Sequence, residues 1–197
     1  RQAGLRDWFF NRQRLSAFEI TPARAKEFFA QLKRNPTVWG MGYPSAITNF
    51  ADEVIAQKLD GRSLGWKAAI TTAEVLRPHQ RERLQQAFGC TVVDSYGCAE
   101  IGVTAFGCEA GSLHVPIESV VVDTVPTDDG RFEVLLTDLF NYSQPVIRYR
   151  IGDMVETAPE GACACGRALP RLGTLQGRAG DFIQLPDGRV INGLLPY

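Results

Sequence analysis

What this sequence lacks narrows it first. None of its 197 residues falls in an apolar run long enough to form a membrane-crossing helix. Charge of either sign is not in excess: 21 Lys and Arg face 22 Asp and Glu, a net of −1, which gives no basic field for nucleic acid or an anionic membrane. The opening stretch RQAGLRDWFF has neither the charged start, apolar middle and small-residue cleavage site of a secretory signal nor an initiator Met. The chain therefore reads as a piece of a longer protein, with a reducing cytoplasm as its expected location. Cysteine is sparse and odd in number, five in all, so a complete disulfide framework is not expected. In a reducing compartment clustered Cys points to metal more than to crosslinks. Internal repeats and low-complexity segments are also missing.

What is present is ordered and periodic. Thr21 followed by Pro22 marks a helix start, and Ala25, Phe28, Phe29 and Leu32 recur on one face, a stripe that reads as core. TVWGMGYPS reads as a short strand entering a Gly/Pro turn. Ile47, Phe50, Ala51, Val54, Ile55 and Leu59 then repeat at helical spacing. WKAAITT reads as a buried strand, PHQRERLQQAFG as a helix between Pro78 and Gly89, and CTVVD as a third strand. Strand, helix, strand, helix, strand predicts parallel α/β layering over 1–110. From about residue 110 short β-like runs separated by Gly, Pro, Asp and Asn take over, predicting a small barrel-like or curled β subdomain over 111–180.

Ligands of open α/β sheets bind beyond the carboxyl ends of strands. CTVVD delivers Ser95, Tyr96 and Gly97 to such a place. A tyrosine there can lay its ring on a flat base, Gly97 lets backbone approach a ligand, and Glu100 offers a carboxylate of the kind that holds Mg²⁺ on phosphates. The plain alternative is a strand-to-loop exit with a solvated Glu. Cys108, His114, Cys163 and Cys165 could together form a closed tetrahedral zinc site, although the spacing departs from the usual finger. Scattered buried thiols with a surface His, or a Cys-x-Cys redox pair, are the competing readings. Cys90 reads as core and Cys98 as a loop-lining thiol. Gly40-x-Gly42-x-x-Ser45 lacks the third glycine of a dinucleotide fingerprint, and His79 with its basic neighbours reads as a solvated helix face.

Three motifs in order make a more specific pattern. Tyr96-Gly97-x-x-Glu100, Arg148-Tyr149-x-Ile151-Gly152-Asp153 and Gly177-Arg178-x-x-Asp181 resemble the later core motifs of adenylate-forming ligases. FFNRQRLSAFEIT, GYPSAI, ITTAEVL and CACGRALPRL are similar to the phenylacetate–CoA ligase branch, which includes CapK-type capsule-biosynthesis proteins. The resemblance covers nearly the whole chain and implies the α/β large domain of such a ligase. It implies that Tyr96, with Ser95 and Gly97, meets the adenine of ATP or AMP and that Glu100 binds Mg²⁺. Asp153 would accept both ribose hydroxyls, with Arg178 a cation near ribose and phosphate. Tyr43 and Ser45 would wall the pocket of a small carboxylic acid, with Thr71, Thr72 and Ala73 opposite. Relatives often carry the same Cys…His and Cys-x-Cys pairs, which favours the zinc reading. CoA or a carrier protein would accept the acyl group, and no nucleic acid or membrane partner is implied. The family's Gly/Ser/Thr-rich phosphate loop does not occur within residues 1–197, and its lysine belongs to a mobile domain of which 181–197 would be the start. The hinge position, usually charged, falls on Gly180. A non-catalytic nucleotide-binding relative and a zinc-stapled structural module are the alternatives.

Overall fold

The computed structural model describes residues 2–128, 130–184 and 190–192. The chain forms two compact units, Arg1–Asp94 and Ser95–Tyr197. Among the described residues no helix is long and apolar enough to cross a membrane.

The first unit contains α1 (Gln2–Phe9), α2 (Pro22–Arg34), β1 (Trp39–Gly42), α3 (Pro44–Ala56), β2 (Ala68–Thr72), α4 (Pro78–Phe88) and the first half of β3 (Thr91–Cys98). Three of its helices begin on a proline, whose missing N–H costs nothing in a first turn. Thr21 accepts a hydrogen bond from the Arg24 N–H and so caps α2, and Gly89 closes α4 at φ +65°. β1 and β2 pair in parallel, Trp39 opposite Ala68 and Gly42 opposite Thr71. Ala25, Phe29, Leu32, Phe50, Val54, Leu84 and Phe88 fill the core, and Cys90 is buried among them. Phe88 lies 4.6 Å from Trp66 and 5.8 Å from Phe50, centroid to centroid. Such pairs add about 0.5–1.5 kcal/mol each beyond their burial. Gly40 belongs to this packing: a methyl there would enter the Trp66 ring, so the GMG glycine is explained without a nucleotide.

The second unit is built from β strands. β4 (Gly102–Gly107), β5 (Leu113–His114) and β9 (Arg171–Leu172) follow β3 in antiparallel order β3-β4-β5-β9. β6 (Val120–Pro126), β7 (Phe132–Asp138), β8 (Tyr149–Val155) and β10 (Leu175–Arg178) form a second antiparallel sheet in the order β10-β8-β7-β6. A 3-10 turn, Ala179–Asp181, then leads to the hairpin of β11 (Phe182–Gln184) and β12 (Val190–Asn192). The α/β class stands, and of the barrel-like or curled β region expected, among the described residues no closed barrel forms: β6 and β10 are the two edges of an open sheet. Val115, Val120, Val134, Leu136, Val155 and Leu172 supply the apolar core beneath Tyr96.

β3 runs four residues past the Asp94 at which the sequence pattern ends it. Its continuation pairs with β4 through an irregularity between Tyr96 and Gly97. A side chain at Gly97 would meet the Gly102 carbonyl, so glycine is required there by strand packing. Gly97→Ala is therefore expected to lower stability by about 1–3 kcal/mol, the usual cost of forcing a methyl into filled space. A urea midpoint equal to that of the parent chain would contradict this account of the β3–β4 crossing.

Candidate functional site

Asp153 is the centre of the second unit's polar cluster. The Tyr96 hydroxyl donates to its Oδ2 at 2.8 Å, and Arg178 Nε lies 3.3 Å from Oδ1. Each contributing strand is irregular at this point. On β8 the register passes from Arg150 to Met154 while β7 advances only from Leu135 to Glu133, and Gly152 sits at φ +79°. β10 shifts register between Leu175 and Gly177, placing Arg178 opposite Asp153. Bulges of this kind re-aim side chains out of a ladder. The side chain of Asp153 is 15% exposed and that of Arg178 65%, so the acid is the sheltered member and the guanidinium reaches toward solvent. Burial, then the neighbouring Asp153 charge, pushes the Tyr96 phenol far above its ordinary range, which keeps it a donor at any physiological pH. With 8% of its surface exposed, Tyr96 offers only a small ring area for stacking.

Glu100 follows at the turn after β3 and is exposed. The Tyr149 hydroxyl donates to its Oε1 at 3.2 Å. Its own backbone N–H first, then the Cys98 thiol and the Tyr149 phenol, hold the carboxyl below its usual range and so ionised at neutral pH. Ser95 is buried on β3. Gly180 lies in the exposed 3-10 turn, with open space where a side chain would stand. The Asp181 side chain and the rest of the 181–197 segment's side chains lie outside the described residues.

Tyr43, Ser45, Thr72 and Ala73 all fall in the first unit. Tyr43 is the N-cap of α3 but makes no side-chain cap. Glu74 substitutes for it: its carboxylate accepts from the Ser45 N–H at 3.0 Å and the Ser45 hydroxyl at 2.9 Å. An acid at a helix N-terminus is also favoured by the helix dipole. Ala73, between Thr72 and Glu74, is held at φ +66°, a conformation that costs a non-glycine residue about 1–2 kcal/mol. Thr71, buried, donates to Asp94 Oδ1 at 2.9 Å. Ser45 also lines an open groove of about 560 Å³ with Thr48, Asn49, His79 and Arg83.

The structure brings Cys108, His114, Cys163 and Cys165 together, their ligand atoms all within 4.8 Å of one another. Cys108 and Cys163 sulfurs are 3.8 Å apart, and Cys165 Sγ is 3.3 Å from His114 Nε2. Tetrahedral zinc with bonds of about 2.3 Å to sulfur and 2.0 Å to nitrogen requires sulfur–sulfur spacings of about 3.8 Å and sulfur–nitrogen spacings of about 3.5 Å. His114 Nδ1 is 3.1 Å from the Leu169 carbonyl, which can only accept. That bond puts the ring proton on Nδ1 and turns the Nε2 lone pair toward the thiols. Burial raises the Cys108 thiol, whereas the Cys165 N–H lowers that of Cys163. The donor set fits a closed structural site.

No family model matches the chain. Among curated proteins it is 22% identical over 184 residues to protein CapK of Staphylococcus aureus, covering 93% of this chain and 41% of the relative. It is 28% identical over 151 residues to the phenylacetate–coenzyme A ligase of Pseudomonas putida, covering 71% and 34%. Among solved structures, a 2-hydroxyisobutyryl-CoA ligase in an open conformation, bound to 2-HIB-AMP and CoA, superposes with a TM-score of 0.70 at 25% identity, over 88% of this chain and 43% of that one. The chain is related to the adenylate-forming superfamily. It spans about two fifths or less of the length of the curated relatives just named. An anthranilate CoA ligase with anthranoyl-AMP, at 14% identity and a TM-score of 0.58, shares this fold.

Two residues of this chain have partners that the sequence does not reveal. Tyr149 stood inside a quoted motif, and Glu74 inside ITTAEVL, but neither partner can be read from spacing. Tyr96→Phe keeps the ring and removes one hydrogen bond to a sheltered carboxylate, for an expected loss of about 1.5–3 kcal/mol. Arg178→Ala, which breaks a largely exposed ion pair, should cost less than about 1 kcal/mol. Chemical unfolding that ranks the two in the opposite order would remove Tyr96 as the main anchor of Asp153.

Proposed function

We propose that the chain is the nucleotide-binding part of an AMP-forming acid–thiol ligase, which activates a small carboxylic acid with ATP as an acyl-adenylate and passes it to CoA or a carrier thiol. The observation that carries this reading is the Asp153 carboxylate held between Tyr96 and Arg178, with Tyr96 on the same strand that leads to Glu100, on the three motifs in their expected order. Asp153 would accept the ribose hydroxyls with the lone pairs that Tyr96 and Arg178 leave, since a carboxylate has about four acceptor positions. Arg178, a largely exposed planar guanidinium, would meet ribose or phosphate. Tyr96 acts first as the brace of Asp153, its ring contributing a limited contact to the base. Ser95 and Gly97 set the backbone beside it. Mg²⁺ held by Glu100 would supply charge neutralisation on the phosphates. The chain's own residues orient the nucleotide for attack by the acid's carboxylate on the α-phosphate, a task of positioning and charge stabilisation.

Tyr43, Ser45, Thr72 and Ala73 are assigned to the acyl pocket, with Glu74 fixing the start of α3 and the strained Ala73 shaping the turn. Gly180, with open space where a side chain would stand, is assigned as the hinge. Cys108, His114, Cys163 and Cys165 are assigned to a structural Zn²⁺ that joins the β4–β5 hairpin to the loop before β9.

Acid-dependent ATP–pyrophosphate exchange on the full-length protein, with a panel of aryl and short alkyl acids, tests the ligase reading. At least one acid should promote exchange, and Asp153→Asn should reduce it by about ten- to a hundredfold, in line with losing a charged acceptor. Nucleotide binding without exchange for any acid would leave a non-catalytic nucleotide-binding protein instead. Elemental analysis should find about one zinc per chain, and its removal by chelator should lower the unfolding midpoint. A well-folded, metal-free preparation would exclude the zinc assignment.

A further inference from the structure

Tyr149 belongs to no assigned role, yet its placement is over-determined. The residue before it, Arg148, is held at φ +48°, unusual for a long side chain. Three contacts fix it there: its N–H donates to Thr137 Oγ1 at 3.0 Å, and its guanidinium pairs with Asp123 Oδ2 at 2.7 Å. The third is the ladder itself, which sets Tyr149 opposite Leu136 as β8 begins. From that start the Tyr149 phenol reaches Glu100 Oε1, 49 residues earlier in the chain. The two side chains wall one groove of about 570 Å³, together with Ala99, Asn141, Gln144 and Ile147.

We propose that Tyr149 is a positioning residue for Glu100, its phenol holding the carboxylate in the orientation from which it takes a divalent cation carried by nucleotide phosphates. The proposal rests on the adenylate-forming reading above. An exposed glutamate on a turn samples several rotamers, and a cation that must select one of them binds more weakly. A neutral donor on one oxygen removes that freedom and leaves acceptor capacity for the cation. Partners of this outer kind orient metal ligands, and their loss typically weakens metal binding ten- to a hundredfold. The bond uses the hydroxyl alone, so the ring by itself should not suffice.

The test is binding rather than turnover, on the full-length protein. Mn²⁺ affinity in the presence of ATP is measured by electron paramagnetic resonance, and metal-free AMP affinity by calorimetry. Tyr149→Phe should weaken Mn²⁺ binding about tenfold while AMP affinity stays within about twofold of the parent. Tyr149→His, which keeps a ring donor, should recover part of the loss and serves if the phenylalanine variant proves unstable. In a Glu100→Gln background, Tyr149→Phe should add nothing further. Tyr142→Phe, on the neighbouring loop and exposed, is the control and should change neither affinity. Unchanged Mn²⁺ affinity in Tyr149→Phe, an equal loss in the Glu100→Gln background, or parallel losses of AMP and Mn²⁺ would each overturn the positioning role. A parent protein that binds no nucleotide would instead overturn the adenylate-forming reading, and is recognised before any variant is made.

Discussion

The second unit is organised around one sheltered carboxylate. Asp153 receives a phenol from β3 and a guanidinium from β10 while it stands on β8. None of these side chains would meet if the strands were regular. The β3 irregularity after Tyr96, the β8 bulge around Gly152 and the β10 shift before Gly177 all occur within a residue or two of the groups that converge. A ladder with strict alternation sends neighbours to opposite faces, so convergence from three strands needs departures from it. Glycine supplies them: Gly152 and Gly177 have positive φ, and Gly97 permits a contact that any side chain would block.

The cysteine–histidine cluster bears on the same centre through the backbone. His114 pairs with Arg171 across β5 and β9, and its ring is tied to Leu169. Cys163 and Cys165 lie in the loop that leads into β9. From there the chain passes Gly173, which packs on the Glu156 carbonyl with no room for a side chain, and enters β10 with Arg178 near its end. Glu156 N–H also bonds the Thr174 carbonyl. A staple at the four ligands would therefore limit how far the start of β10 can drift, and Arg178 with it. A structural metal bound there would thus have a physical route to the site without touching it.

Much of this was legible in the sequence, and the limits have definite causes. The helices around Phe29, Phe50 and Leu84 followed from 3.6-residue periodicity with Pro starts and a Gly stop, because burial and capping are local signals. The end of β3 was not legible: Tyr96-Gly97 reads as a loop by composition, and only the antiparallel partner β4 makes it strand. Short runs at regular spacing are common to a barrel and to a curled open sheet, and the sequence leaves the two open because closure depends on edge strands that composition does not mark. Site residues were nameable by type and motif. Their partners were not, since Tyr96–Asp153 and Tyr149–Glu100 span 57 and 49 residues. Only the cysteine cluster announced a long-range contact, because thiols and imidazole have few other reasons to recur in such pairs.

The two carboxylates of the second unit are held by different chemistry, and the difference suits what each would bind. Glu100 is held chiefly by neutral donors, its own N–H, the Cys98 thiol and the Tyr149 phenol, with the Arg178 charge a smaller influence in the same direction. Neutral donors fix an anion's orientation without cancelling its charge, and a hard divalent cation needs that charge. Asp153 is paired instead with a phenol and a guanidinium. Ribose hydroxyls are neutral donors, so a partly compensated carboxylate loses little as their acceptor, whereas it would be a poor ligand for a metal. Exchanging the two environments would weaken both sites: a guanidinium beside Glu100 would compete with the cation for its oxygens. Without its own guanidinium, Asp153 would lose the partner on Oδ1, leaving that half of a sheltered anion for the ribose alone to satisfy. Under the proposed function, the pattern of donors would separate the cation end of the nucleotide from its sugar, a distinction that the identities of two acidic residues alone would not make.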